Sequence, residues 1–136
     1  MPLIRLSSPE HGIPFRLTPD SEGLEKLLGP LEVRVMRIIW QQERSTVKQV
    51  HGRLAPQHGL AYTTVMTTMS RLAEKGILSR HREGLAYVYA PAISEDAFVA
   101  HMVDQVMASL LRDFPSYVAR SLETWLEPAS PTRSLS

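Results

Sequence analysis

The feature that most constrains this chain is a change of hydrophobic period at Gly76. Before it, Tyr62, Val65, Met69 and Leu72 recur at three- and four-residue spacing, with Met66 at the margin, which predicts a helix over 61–75. Gly76 supplies the stop that a helix C-terminus favours. Directly afterwards, 77–82 and 86–91 read as two strands, with Glu83-Gly84 as the turn between them. Two strands alone cannot sustain a core. The rest of the core must therefore come from helices.

The flanking sequence supplies them. Pro30 follows Gly29 and suits the first position of a helix, where its missing N–H costs nothing. Leu31, Val35, Met36, Ile39 and Trp40 then mark one face, with Arg34, Arg37 and Gln41 opposite. A second helix begins after Thr46, whose hydroxyl can cap it, and buries Val47, Val50 and Leu54 before Pro56 and Gly59 end it. Beyond the hairpin, Ser94 caps a long helix whose apolar residues come in pairs. These are Phe98/Val99, Met102/Val103, Val106/Met107 and Leu110/Leu111. That stripe is wide enough to pack on the preceding domain along one side and on a partner helix along the other. Pro115 opens a last helix with Val118, Leu122, Trp125 and Leu126.

Four prolines among the first nineteen residues predict an extended or mobile arm, followed by a short helix over 21–28 with Leu24, Leu27 and Leu28 on its apolar face. The Pro/Ser-rich end, 128–136, reads as a disordered tail. The expected organisation is an arm over 1–28, a domain over 29–93, dimerisation helices over 94–127, and the tail. The fold class is mainly α with a small β-hairpin.

Charge follows the same division. The chain of 136 residues carries 15 Lys+Arg against 14 Asp+Glu, a net charge of only +1. The segment 29–93 nevertheless carries nine basic and four acidic side chains, whereas 94–136 carries three and six. A basic centre beside an acidic end keeps nucleic-acid binding open despite the near-neutral total. The absence of cysteine excludes disulfides, a thiol nucleophile and thiolate metal sites, and fits a cytoplasmic protein. No apolar run is long enough to span a bilayer, and the opening residues lack the pattern of a signal peptide.

Helix, helix, helix and hairpin in this order is the layout of a winged helix-turn-helix. Its third helix enters the DNA major groove and its hairpin is the wing. The third helix carries four threonines, which are unfavourable there because β-branched side chains lose rotamer freedom. Thr63, Thr64, Thr67 and Arg71 lie together on its polar face and point to contacts with bases and phosphates. Arg80 and Arg82 in the wing, and Lys48 and Gln49 in the second helix, are candidates for the phosphate backbone. For these four, solvated surface is about as good a reading. Tyr62 reads as core more readily than as a phosphate contact, and Tyr87 and Tyr89 as wing and core packing.

The strings LGPLEVRVMRIIW (28–40), TVKQV (46–50), LAYTTVMTTMSRLAEKGIL (60–78) and REGLAYVYAP (82–91) resemble the BlaI/MecI/CopY family of penicillinase repressors. The resemblance covers 28 to about 126. It implies a homodimeric bacterial repressor bound to a palindromic operator, with the threonine-rich helix reading bases. It also implies a dimer interface on the C-terminal helices, here Phe98, Val99, Met102, Val103, Val106, Met107, Leu110, Leu111, Leu122 and Trp125. The copper-responsive branch of that family uses a cysteine cluster, which this chain lacks. The β-lactam branch is inactivated by a membrane sensor-protease that cuts between Asn and Phe just after the wing. The comparable position here is Ala97-Phe98, with alanine in place of asparagine.

Neither a cofactor nor catalysis is expected. No phosphate-binding glycine loop, nucleophile elbow or zinc-binding H-E-x-x-H occurs. The five histidines show no metal-ligand spacing among themselves. Two further readings suit the same layout: a MarR-like regulator that senses a small ligand between its dimer helices and DNA-binding domains, and a winged-helix protein-interaction module without a specific DNA target.

Overall fold

A computed structural model describes residues 12–126. Five helices and one hairpin follow in order: α1 (Pro30–Gln42), α2 (Val47–His58), α3 (Tyr62–Glu74), β1 (Leu78–Glu83), β2 (Ala86–Pro91), α4 (Glu95–Asp113) and α5 (Pro115–Leu126). A 3-10 turn, Gly23–Lys26, precedes them. The chain forms two compact units that divide between Met102 and Val103.

The first unit is built around α1. Its start is set by Pro30 and by Glu32, whose carboxylate accepts from the Gly29 N–H at 2.9 Å. The other oxygen of Glu32 accepts from Lys75 Nζ at 2.8 Å, which ties the beginning of α1 to the end of α3. Val33 and Ile38 are buried along with Val35, Met36 and Ile39, so α1 is apolar over more of its circumference than the expected stripe. It is surrounded: α2 and α3 pack on it, as does β2.

Thr46 caps α2 as expected. Its hydroxyl accepts from the Gln49 N–H while the Gln49 side-chain carbonyl accepts from the Thr46 N–H. Pro56 is accommodated inside the last turn, and the helix stops only at Gly59, at φ +60. Gly76 follows α3 at φ +86, and the chain passes directly into β1. The hairpin pairs Leu78 with Pro91 through Glu83 with Ala86, so its loop is Gly84-Leu85, one residue later than expected. Gly84 carries the positive φ that a tight hairpin needs at its first loop position.

The N-terminal segment differs from the arm expected for it. Ile13, Leu24, Leu27 and Leu28 belong to the core and Phe15 packs against it, so the apolar side chains of this segment are taken out of water. The Thr18 N–H donates to the Lys26 carbonyl and closes this segment into a loop. The expectations for the first eleven residues and for 128–136 lie outside the described residues.

The domain limit also differs. The compact unit continues through the first two turns of α4, capped by the Ser94 hydroxyl accepting from the Ala97 N–H. Phe98 and Met102 are completely buried in the core, and Val99 packs against it. Phe98 meets the Trp40 ring at 5.8 Å, and Trp40 Nε1 donates to the Ile93 carbonyl. Phe98 and Met102 are therefore core residues of their own chain rather than dimer contacts. The Ala97-Phe98 bond likewise sits in a packed helical turn rather than an open segment that a protease could bind extended.

In the second unit, the remainder of α4 and α5 enclose few side chains. Val118 is buried, while Leu110, Leu111, Phe114, Tyr117, Leu122, Trp125 and Leu126 are exposed. Phe114 and Tyr117 meet edge to face at 6.3 Å.

Phe98→Ala should destabilise the first unit by about 3–5 kcal/mol, the cost of a large core cavity. Urea unfolding of the full chain checks this. A loss below about 1 kcal/mol would mean that the first turns of α4 are dispensable to the core.

Candidate nucleic-acid interface

The buried stripe of α3 is Val65, Met69 and Leu72. It anchors the helix with Thr63, Thr64, Thr67 and Arg71 outward, and all four are exposed. The hydroxyls of the three threonines and the Arg71 guanidinium make no hydrogen bond among the described residues. Thr68 is different: its hydroxyl turns back to the Thr64 carbonyl at 2.9 Å. The polar face thus offers three hydroxyls, three methyl groups and a charge to an external partner, with the backbone already satisfied.

Tyr62 departs from expectation. It is 45% exposed, because the first turn of α3 projects past the edge of the core. The His51 ring packs edge-on against it at 5.7 Å, and His51 Nε2 bonds the Leu60 carbonyl at 2.8 Å. This pair holds the turn between α2 and α3. Met66, one turn on, is exposed on the same side. Sequence reasoning placed Tyr62 in the buried stripe from spacing alone, and spacing does not reveal where a helix outruns its core.

Lys48 projects from the first turn of α2 without a partner among the described residues, but Gln49 closes the capping box. With its carbonyl engaged, Gln49 shapes the helix start first and offers only its amide NH2 outward. Between α2, α3 and the wing runs a groove of about 480 Å³, bordered by Lys48, Tyr62, Met66, Ser70, Arg80 and Tyr87.

The wing is anchored in two ways. Ser45, in the turn before α2, exchanges two backbone hydrogen bonds with Tyr89, at 2.9 and 2.8 Å. Tyr89 is buried there, so the expected packing role holds for it, while Tyr87 on the same strand is exposed. At the other end, Arg44 pairs with Glu83, and His81 Nε2 donates to the same carboxylate at 2.8 Å. The His81 hydrogen bond, with Arg44 beside it, holds the Glu83 carboxyl below its ordinary 4.5.

The two wing arginines are held differently. Arg80 Nη1 donates to the Tyr89 hydroxyl at 3.2 Å and to Ser70 Oγ on α3 at 3.3 Å, and its guanidinium lies 4.7 Å from the centre of the Tyr87 ring. The Tyr89 hydroxyl accepting from it raises the Arg80 pKa further above its ordinary value. Arg82 lies on the Tyr87 ring at 5.4 Å and makes no hydrogen bond or ion pair among the described residues. Among the described residues, no group of three or more metal-binding side chains occurs and no helix is long and apolar enough to cross a membrane.

A family model, the penicillinase repressor, matches residues 28–132. The chain belongs to the penicillinase repressor family. The transcriptional regulator BlaI of Mycobacterium tuberculosis (strain H37Rv) is 43% identical over 82 residues, which is 60% of this chain and 59% of that protein. The penicillinase repressor of Bacillus licheniformis is 32% identical over 68 residues, half of this chain and 53% of that one. The matched part therefore spans between half and three fifths of these relatives. Among solved structures, the DNA-binding domain of the repressor BlaI is 28% identical and matches 57% of this chain and 93% of its own, with a TM-score of 0.48. The Bacillus licheniformis BlaI monomeric form in complex with the blaP half-operator is 31% identical and matches 52% and 85%, with a TM-score of 0.45.

A carboxyl with a lowered pKa stabilises the fold above its ordinary range, and that contribution is lost as pH falls through the lowered value. Glu83→Gln should therefore lower the melting temperature near pH 7, by an amount that shrinks at the most acid pH the fold withstands, as the parent carboxyl takes up its proton. Thermal melts at both pH values check this; an equal drop at both would place the effect in packing rather than in charge.

Proposed function

We propose that this protein is a sequence-specific DNA-binding repressor that acts as a homodimer by occupying a palindromic operator. The observation that carries the reading is the outward face of α3. Thr63, Thr64, Thr67 and Arg71 stand exposed and unbonded on a helix whose opposite side buries Val65, Met69 and Leu72. Side chains of this kind suit base edges, thymine methyls and phosphates in a groove that admits one helix. Lys48 and Arg82 stand on flanking elements, where the DNA backbone would pass. The names of the relatives, a transcriptional regulator and a penicillinase repressor, support the same function.

The dimer reading rests on the second unit. Phe114 is 53% exposed, Trp125 75% and Leu126 74%, beside Leu110, Leu111 and Leu122. Apolar surface of this extent marks an interaction site, and a second copy of the same helices would cover it by two-fold symmetry. The contact set is then Val103, Val106, Met107, Leu110, Leu111, Leu122 and Trp125, without Phe98 and Met102, which are core, and without Val99, which packs against the core. Repression needs no chemistry: two recognition helices on successive major-groove turns exclude other proteins from the promoter. The site of action is the cytoplasm.

Arg71→Ala should weaken operator binding by about 1–3 kcal/mol, and Thr67→Val should reorder the preference among operator variants. Selection from random DNA followed by gel-shift titration checks both. Recovery of no preferred sequence would instead favour a protein-interaction module. Trp125→Asp should move the sedimentation equilibrium from dimer to monomer without unfolding α4; an unchanged dimer would place the interface elsewhere.

A further inference from the structure

We propose that the two wing arginines divide their work: Arg80 is a positioning residue that locks the wing to the recognition helix, and Arg82 is the wing's phosphate contact, presented on the Tyr87 ring. This rests on the DNA-binding reading above and assigns roles within it.

Arg80 touches three groups on two elements other than its own. Both hydrogens of Nη1 are used, one toward the Tyr89 hydroxyl on β2 and one toward Ser70 Oγ on α3. Its Cζ lies over the Tyr87 ring, 4.7 Å from the centre. A guanidinium can stack and donate at once because it is flat and its donors are fixed in a fork. Tyr89 is itself immobilised, since its backbone is bonded to Ser45 and its residue is buried. Arg80 therefore joins a fixed point of the domain to the middle of α3 and to the wing's exposed ring. Its hydrogen bond to Ser70 spans the interval between recognition helix and wing, the distance that decides whether both can meet DNA together.

Arg82 has the opposite surroundings. It shares the Tyr87 ring with Arg80 but makes no hydrogen bond or ion pair among the described residues, so its whole fork is open to an acceptor. Two cations on one ring repel each other. That arrangement is tolerable in water and becomes favourable when a phosphate oxygen takes up one of the charges. Glu83, the neighbouring carboxylate, does not neutralise Arg82, because it is bound to Arg44 and His81.

The salt dependence of operator binding separates the two roles. Each phosphate contact adds about 0.9 to the slope of log affinity against log salt. Arg82→Gln should reduce that slope by about one and weaken operator and random DNA alike. Arg80→Gln should keep the slope, lower operator affinity about tenfold and random-DNA affinity little, so that the specificity ratio falls. Arg80→Lys should fail to restore it, because a point charge cannot stack and fork together. Tyr89→Phe, which removes only the hydroxyl, should show the same signature more weakly and serves if Arg80→Gln does not fold. Without DNA, Arg80→Gln should shift amide resonances both around Ser70 and along 86–90. A reduced slope in Arg80→Gln restored by Arg80→Lys would make Arg80 a phosphate contact and overturn the proposal. Unshifted resonances around Ser70 would overturn the lock. A parent protein that binds no DNA, with those resonances shifted as expected, would remove the repressor reading and the Arg82 role while leaving the lock standing.

Discussion

Two backbone hydrogen bonds between Ser45 and Tyr89 are the constraint on which the first unit's working surface depends. A two-stranded hairpin has no stability of its own in water. Ser45 gives β2 a second, one-residue neighbour and fastens the hairpin to the turn that begins α2. With Tyr89 fixed, its hydroxyl becomes a fixed acceptor for Arg80, and Arg80 in turn reaches Ser70. The helix α3, the hairpin and the start of α2 are thereby held to one frame.

The same frame explains why α3 can carry residues that a helix disfavours. Its threonines cost helix stability through restricted rotamers. Burial of Val65, Met69 and Leu72 offsets that cost, because tertiary packing outweighs intrinsic propensity once a stripe is enclosed. The conflict between propensity and position is confined to the outward face. A protein commonly violates a local rule where a surface has a use.

Much of this was legible in the sequence because it is local. The caps at Thr46 and Ser94, the proline starts of α1 and α5 and the glycine after α3 all act within a few residues. The change of period at Gly76 separated helix from hairpin to within a residue. The exposed threonine face followed from helical spacing alone. Illegible was whatever depends on the ends of elements meeting in space. Phe98 and Met102 share one stripe with Val103 and Leu110, and nothing in the pairing says that the first two turns of α4 belong to the core while later ones lie open. Ile13 and Phe15 sit among prolines without periodicity, yet they cover the core. Arg80 and Arg82 alternate with one intervening residue and look equivalent. Only their neighbours across the sheet and on α3 distinguish them.

By itself, then, the sequence determined the elements, their order, the exposed threonine face and the resemblance to the family, because periodicity, capping and turn chemistry are written in adjacent residues. The tertiary structure alone decided which side chains of α4 are core and that the N-terminal segment from Gly12 is part of the unit. It also decided that one wing arginine is engaged while the other is free of hydrogen bonds among the described residues. Each of those outcomes depends on a contact between residues far apart in the chain, and local pattern carries no information about which of several similar side chains will find such a contact.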